Sequence, residues 1–568
     1  MARVASTTRA NFLSFSSPSR SIMSRVSNPI LPGFHPDPSI LRVGNDYYIA
    51  TSTFEWWPGV RIHHSRDLVN WNLAGHALTR PSQVDLRGTP PSGGVWAPAL
   101  SHAGGLFWLV YSDVKSFNGC AKDVRNYLVT SVDIAGPWSE PVPLNSSGFD
   151  PSLFHDDDGR KWLLNQVWDP RPDRRQFAGI ALQEFSAVTG RLIGTPVNIF
   201  RGSSLGITEG PHLYKRDGNY YLVTAEGGTG EAHAVTLARS RSLTGPYELC
   251  PHNPLLSSAG RPDALLQKAG HGSLVQTASG RWYLAHLCSR PIGPHRRCIL
   301  GRETALQAVE WPAGGWPRLA HGDNVPAATV EVDGSAARPY LTNFADDFSS
   351  PSLSSHWSFL REPPSSSWLT LSERPGALRL RGRQSLLSVF DQSLVGFRLL
   401  HPRCRVSTRL DFAPKSFQQS AGLAFYYNTT NFHYLLLTAR DTGGRELRLF
   451  CGDNGDYENP AGAGVRVPDA GPVELRAELD DESLRFFYVP NDGPAQPVGP
   501  TLDATLLSDD RVIEGGAWGF TGCFVALSAQ DSGDSGIPAD FTAFRYEGRA
   551  LSHAGVHASV AQSVAVPK

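Results

Sequence analysis

With 568 residues, the chain exceeds one ordinary hydrophobic core and is expected to divide into at least two domains. Its 52 Lys and Arg nearly cancel 53 Asp and Glu, which leaves no net field to draw it to nucleic acid or to an acidic membrane surface. Aromatic residues make up 10% and charged residues only 18%, while 55 Gly and 43 Pro favour short strands and turns, so an all-β protein with an uncharged ligand is expected.

Residues 1–27 are rich in Ser and Arg, hold no Asp or Glu and lack a long apolar run, so they read as a disordered tail and not as a secretory signal. A transit peptide has the same composition, as does the stretch that a mispredicted gene start would add. The compartment expected is the cytoplasm, or is left undefined. No run of about 18 apolar residues follows, so no spanning helix is predicted.

Between Asp37 and Leu287 one phrase recurs five times: a leading residue with a Pro- or Gly-containing run, then an aromatic, apolar strand. The pairs are HPDPSI with NDYYIATS, WAPAL with GLFWLVYS, FDPSLF with RKWLLNQV, TEGPHLY with GNYYLVTAEG, and HGSLVQ with GRWYLAHL. A period of roughly sixty residues with short strands predicts propeller blades, so residues 28–325 are expected to form a five-bladed β-propeller. The leading residues Asp37, Trp96, Asp150, Glu209 and His271 are then expected at equivalent places facing one axial pocket.

A looser stretch through Asp323, Asn324 and Pro326 reads as a linker. From LTNFADDFSS onward, alternating segments such as CRVSTRLDF, AGLAFYYN, VELRAEL and LRFFYV predict a two-sheet β-sandwich over residues 340–549, and residues 550–568 read as a second tail. The seven cysteines are scattered, without CxxC or a Cys/His cluster, and indicate neither a disulfide framework nor a zinc site.

An Asp in a turn before a strand is ordinarily structural, because its side chain caps nearby backbone N–H groups. Three carboxylates in equivalent repeat positions are different. They repel one another and raise each other's pKa, a cost that folding alone has no reason to carry. Grouped acids bind metal or perform acid/base chemistry; glycoside hydrolysis needs a protonated acid and an ionised partner on the opposite face of the sugar. Glu209, one methylene longer and in a Gly-bounded turn, suits the reaching acid, whereas Asp37 between two prolines suits a base that positions one water.

The segments GFHPDPSI, GFDPSLF, ITEGPHLY and LGRETALQ, in that order on a five-blade repeat, resemble glycoside hydrolase family 43, in particular its β-xylosidases with a C-terminal sandwich of the jelly-roll or concanavalin-like kind. The resemblance spans about residues 28–549. It implies an inverting exo-glycosidase that releases terminal β-D-xylose from xylo-oligosaccharides, with Asp37 as general base, Glu209 as general acid and Asp150 as the residue that tunes and orients the acid. Inversion calls for about 6.5–9.5 Å between base and acid, which leaves room for the attacking water. It further implies substrate contacts from Arg302, Phe54 and Trp168, and a covering role for Phe520 in GFTGCFVAL that closes the pocket behind one sugar. Trp96 and His271 read either as packing at the inner channel or as sugar-site wall.

No cofactor is expected to be required and no metal ligand is assigned. Calcium is considered in two places: beside His271 near the propeller axis, and shared by Asp346, Asp347 and Asp540, which read equally as ordinary strand-end acids. The expected partner is the small-molecule substrate, with no nucleic acid or membrane, and a homo-oligomer is left open. Alternatives are α-L-arabinofuranosidase or mixed activity, a sugar-binding protein on the same scaffold, and a propeller that serves as a protein-interaction platform.

Overall fold

The computed structural model describes residues 23–490 and 493–549. The chain is all-β, a five-bladed propeller followed by a sandwich, with one six-residue α-helix, Asp509–Glu514, among the described residues. Each blade is a sheet of antiparallel neighbours taken in chain order. Blade I runs Ser39–Val43, Asp46–Thr51, Gly59–Ser65 and Asn72–Leu78. Blade II runs Gly94–Ala103, Leu106–Ser116, Asp123–Ser131 and Val142–Pro143. Blade III runs Ser152–His155, Lys161–Trp168, Phe177–Ser186 and Arg191–Phe200. Blade IV runs Glu209–Arg216, Asn219–Glu226, Ala234–Ser240 and Glu248–Leu249, with Leu256–Ser257 added to its third strand. Blade V runs Gln267–Gln276, Trp282–Ser289, Glu303–Glu310 and Arg318–Leu319.

The second strand of each blade is the aromatic, apolar half of the repeated phrase. It is buried on both faces because it packs between its own sheet and the next; Ile49, Leu109, Leu164, Leu222 and Leu284 are all fully buried. The first strands touch their neighbours around the whole circle, blade V back to blade I included. The N-terminal segment helps close that circle. Leu31 exchanges backbone hydrogen bonds with Thr304 (3.1 and 3.2 Å), and the Asn28 side chain bonds both backbone groups of Leu306 (2.8 and 2.9 Å).

The tail expected over residues 1–27 needs correction at its end. Met23–Ser27 forms a strand paired with Thr329–Asp333, because Ser24 and Val26 alternate inward and Val26 joins a buried cluster with Val330 and Val332. A low-acid composition masked that short alternation. Residues 1–22 and 550–568 lie outside the described residues.

The sandwich stacks two nine-stranded sheets. Arg403–Phe412 and Val473–Asp480 bury every second residue, as a half-covered sheet requires, and Leu410, Leu475, Phe425 and Phe541 meet in one core. One edge strand is borrowed. Trp56–Trp57 leaves blade I and pairs with Phe359 and Leu360 of the sandwich, where Trp56 stacks on Phe524 at 3.6 Å between ring centres. The two domains thereby share a sheet and an aromatic core.

Candidate active site

Each first strand carries a residue in left-handed backbone, either just before it or at an irregularity near its start: Asp37 (φ 53°), Ala97 (φ 36°), Asp150 (φ 53°), Gly210 (φ 56°) and His271 (φ 44°). Asp, His and Gly tolerate that conformation better than most residues, and in four of the five places a proline follows. These places define the true repeat position. The expectation that Trp96 and Glu209 stand where Asp37, Asp150 and His271 stand is therefore one residue out. The chemistry of the side chains suggested that alignment, but the backbone aligns on the residue before the proline. Glu209 instead corresponds to Trp96 of blade II and Phe149 of blade III, and it projects from the preceding position of its turn.

All nine residues singled out from the sequence nevertheless line one cavity of about 440 Å³: Asp37, Asp150 and Glu209, with Phe54, Trp96, Trp168, His271, Arg302 and Phe520. Asp37 accepts a hydrogen bond from Ser52 Oγ (2.6 Å), which itself accepts one from the Ala97 N–H (2.7 Å); its other oxygen lies 3.6 Å from His271 Nδ1. The Ser52 hydrogen bond fixes the Asp37 carboxylate, and the His271 ring stands beside it. Asp150 accepts the Gly210 N–H at 3.0 Å, which ties it to the turn that carries Glu209. Gly210 also lies against His271: a Cβ there would come within 3.1 Å of the imidazole.

Burial pushes the Glu209 carboxyl up to about 8; the Asp37 charge adds to the rise, while Arg302 and Lys122 oppose it. Burial also raises Asp150 well above the ordinary carboxylate range, with repulsion from Glu209 and Asp37 adding to it and the Gly210 N–H and Arg302 offsetting part. This group of carboxyls holds a proton at neutral pH, as a site that must donate one requires. Burial lowers His271 below its usual value against the pull of Asp37, so its imidazole is neutral near pH 7.

The wall is aromatic. Phe520, from the sandwich, donates its backbone N–H to Ser92 Oγ (3.0 Å) and sets its ring 5.6 Å from Trp96 and 6.0 Å from Phe54. Arg302 lies buried over that ring, with Cζ 4.5 Å from its centre. Arg302 Nε and Nη2 have no acceptor among the described residues, so these donors are available to ligand oxygens. Trp168 is fixed by its indole N–H to the Cys120 carbonyl (2.7 Å), and Lys122 Nζ sits 4.2 Å over its ring.

The acids considered for a shared calcium are engaged elsewhere. Asp540 is paired with Arg374 and Arg379 (both 2.7 Å), Asp346 accepts the Trp357 indole N–H (2.8 Å), and Asp347 bonds Ser349 (2.7 Å). They do not fit a common ion, because the arginines already neutralise Asp540. Among the described residues one trio has metal-ligand spacing, Cys298, Asp509 and Asp510, and there the Lys268 ammonium contacts both carboxylates (3.1 and 2.5 Å).

A sequence profile described as Glycosyl hydrolases family 43 matches residues 26–317, and one described as Beta xylosidase C-terminal Concanavalin A-like domain matches residues 345–547. The chain belongs to glycosyl hydrolase family 43. Among its family 43 relatives, a protein named Xylosidase/arabinosidase 43B from Humicola insolens is 49% identical over 531 residues, 92% of this chain and 98% of the other. A Beta-xylosidase of Bacillus subtilis (strain 168) is 46% identical over 536 residues, 92% and 99% of the two chains. The solved xylan beta-1,4-xylosidase of Bacillus halodurans C-125 superposes with a TM-score of 0.90 at 51% identity, over 92% of this chain and all of that one.

The cavity also has members that sequence reasoning missed, chiefly Phe149, Lys122, Phe177, His233 and Trp518. Phe149 carried a readable signal: aligned on the residue before proline, it falls where Trp96 and Glu209 fall. Lys122, Phe177, His233 and Trp518 lie outside the leading turns of the repeat, and their place in the cavity follows only from the way the blades and the sandwich meet.

Proposed function

We propose that the protein is an inverting, exo-acting β-xylosidase that removes single β-D-xylose units from the non-reducing end of xylo-oligosaccharides. The observation that carries this reading is the joining of three carboxylates and Arg302 in one cavity whose far wall, Phe520, comes from the other domain. Asp37, oriented by Ser52, removes a proton from water as that water attacks the anomeric carbon. Glu209 donates its proton to the leaving oxygen. Asp150 fixes the Glu209 turn through the Gly210 N–H, and its charge state is coupled to that of the acid. Arg302 and the aromatic wall hold the terminal pentose, and Phe520 leaves no course for the chain to continue past it.

An α-L-arabinofuranosidase activity on the same site is the second reading, favoured by the name of the 49% identical relative. Rates on p-nitrophenyl β-D-xylopyranoside and on the α-L-arabinofuranoside decide between them, and a large excess on the arabinoside reverses the order. Proton NMR of early xylobiose hydrolysis is expected to show α-xylose first. β-Xylose as first product would refute inversion.

A further inference from the structure

Where blade I meets the sandwich, two arginines are almost wholly buried, Arg61 at 2% and Arg398 at 3% exposure. Each of three other buried arginines has a carboxylate to answer it: Arg302 has Glu209 and Asp150, Arg361 has Glu55, and Arg445 has Asp411 and Asp469. Arg61 has only the Tyr340 hydroxyl, with which it shares a hydrogen bond, and Arg398 has only Arg61 and Tyr340; no carboxylate among the described residues contributes at either. A guanidinium does not lose its proton in a protein, so the two charges stay. A buried charge left without a partner is strongly destabilising.

The surroundings supply donors and no counter-charge. Arg61 Nη2 meets His356 Nδ1 at 3.2 Å, and Arg61 stands opposite His76 across the blade I ladder. His63 Nε2 lies 2.8 Å from the Tyr340 hydroxyl, and the His35 and His63 rings meet edge to face at 4.9 Å. Arg398 gives Nε to the Phe34 carbonyl (3.0 Å) and Nη1 to Ser358 (2.8 Å), between the rings of Phe34 and Phe524. Arg61 Nε and Nη1, His35 Nε2, His63 Nδ1 and His76 Nε2 are all buried without a partner. Burial and the two arginines hold all four imidazoles neutral, so they add N–H donors without further charge. A surface cavity of about 600 Å³ reaches this cluster at Tyr340 and His356 and offers a way in.

We propose that this junction is a binding site for a small, weakly hydrated monovalent anion of the halide class, held by Arg61 and Arg398 and completed by the surrounding imidazoles. The mixture of buried cations with aromatic rings suits a weakly hydrated halide better than a strongly hydrated phosphate. The site lies next to the segment that carries Asp37, since the N–H of His35, two residues earlier, bonds the Arg302 carbonyl at 2.8 Å, and its entry cavity shares no lining residue with the sugar cavity.

The test is a melting-temperature titration of the full-length enzyme at constant ionic strength, with chloride replacing gluconate from zero to about 200 mM, where a ligand of the native state raises stability saturably. The expected result is a saturable rise of several degrees in chloride or bromide that is absent from Arg61→Met. Because Met removes the buried charge, that variant is expected to melt at or above the wild type in gluconate. A bromide soak of wild-type crystals is expected to place an anomalous peak against the Arg61 guanidinium, which keeps the test independent of how the variant folds. A melting temperature indifferent to the anion, or a site that holds only water or a carboxylate from a second chain, overturns the proposal.

Discussion

The pH–rate profile tests the assignment of Glu209 most directly. An acid whose carboxyl titrates at about 8 is about nine-tenths protonated at pH 7, whereas one left at the ordinary 4.5 is protonated in only about one molecule in 300. Burial in the cavity therefore supplies more than two orders of magnitude in the concentration of competent acid. Activity on xylobiose is expected to hold through pH 7 and to fall about tenfold per pH unit above a basic limb near 8.

Glu209→Gln keeps the shape and hydrogen-bonding capacity of the side chain but cannot donate a proton to the leaving oxygen. Its kcat/KM on xylobiose is expected to fall by about 10²–10⁴ and to lose the basic limb. On p-nitrophenyl β-D-xylopyranoside the same variant is expected to lose far less, because nitrophenolate departs without a proton. The assay is kcat/KM for both substrates from pH 5 to 10. A variant that retains wild-type rates on xylobiose, or that keeps the limb near pH 8, would show that another group donates the proton.

Three further outcomes follow from the same geometry. Glu209 has a folded-state pKa above its unfolded value, so the native state binds more protons than the unfolded chain between about pH 4.5 and 8 and loses stability as pH rises through that window; thermal melts of Glu209→Gln are expected to match the wild type near pH 4 and to exceed it, by an amount on the order of a few kcal/mol at most, above pH 8. Gly210→Ala places a Cβ 3.1 Å from the His271 ring on a left-handed backbone, and is expected to cost about 1–2 kcal/mol in chemical denaturation and to lower kcat by disturbing the Asp150 contact. Phe520→Ala removes the ring beneath Arg302 and opens the far wall, and is expected to lower kcat/KM on xylobiose by about tenfold or more with little change in circular dichroism; unaltered kinetics would remove the sandwich from the site.

The repeat was legible because a propeller writes its fold into the chain five times: a left-handed position at or just before the start of each first strand and one aromatic second strand, with positions such as Ile49 and Leu222 buried on both faces. The sandwich was legible through period-two burial in Arg403–Phe412 and Val473–Asp480. What did not show was anything that crosses between units. Trp56–Trp57 reads as part of blade I and pairs with the sandwich, and nothing local to residues 54–58 says so. Lys122 and Trp518 enter the cavity from loops without period. Within the site, the three acids were visible but their register was not. Alignment by charge put Asp37, Asp150 and Glu209 in one class, whereas the left-handed residue before each proline puts Gly210 beside the two aspartates. That single step is mechanistically useful. If Glu209 occupied the Gly210 position, the N–H that holds Asp150 would belong to the acid's own left-handed residue, with a Cβ forced against His271. With glycine taking the strained backbone, Glu209 stands one residue earlier, free of hydrogen-bond donors among the described residues and facing the cavity, while its neighbour anchors Asp150. Anchoring and proton donation are thus divided between adjacent residues, and a protonated acid is left with no hydrogen-bond partner among the described residues to compete with the sugar.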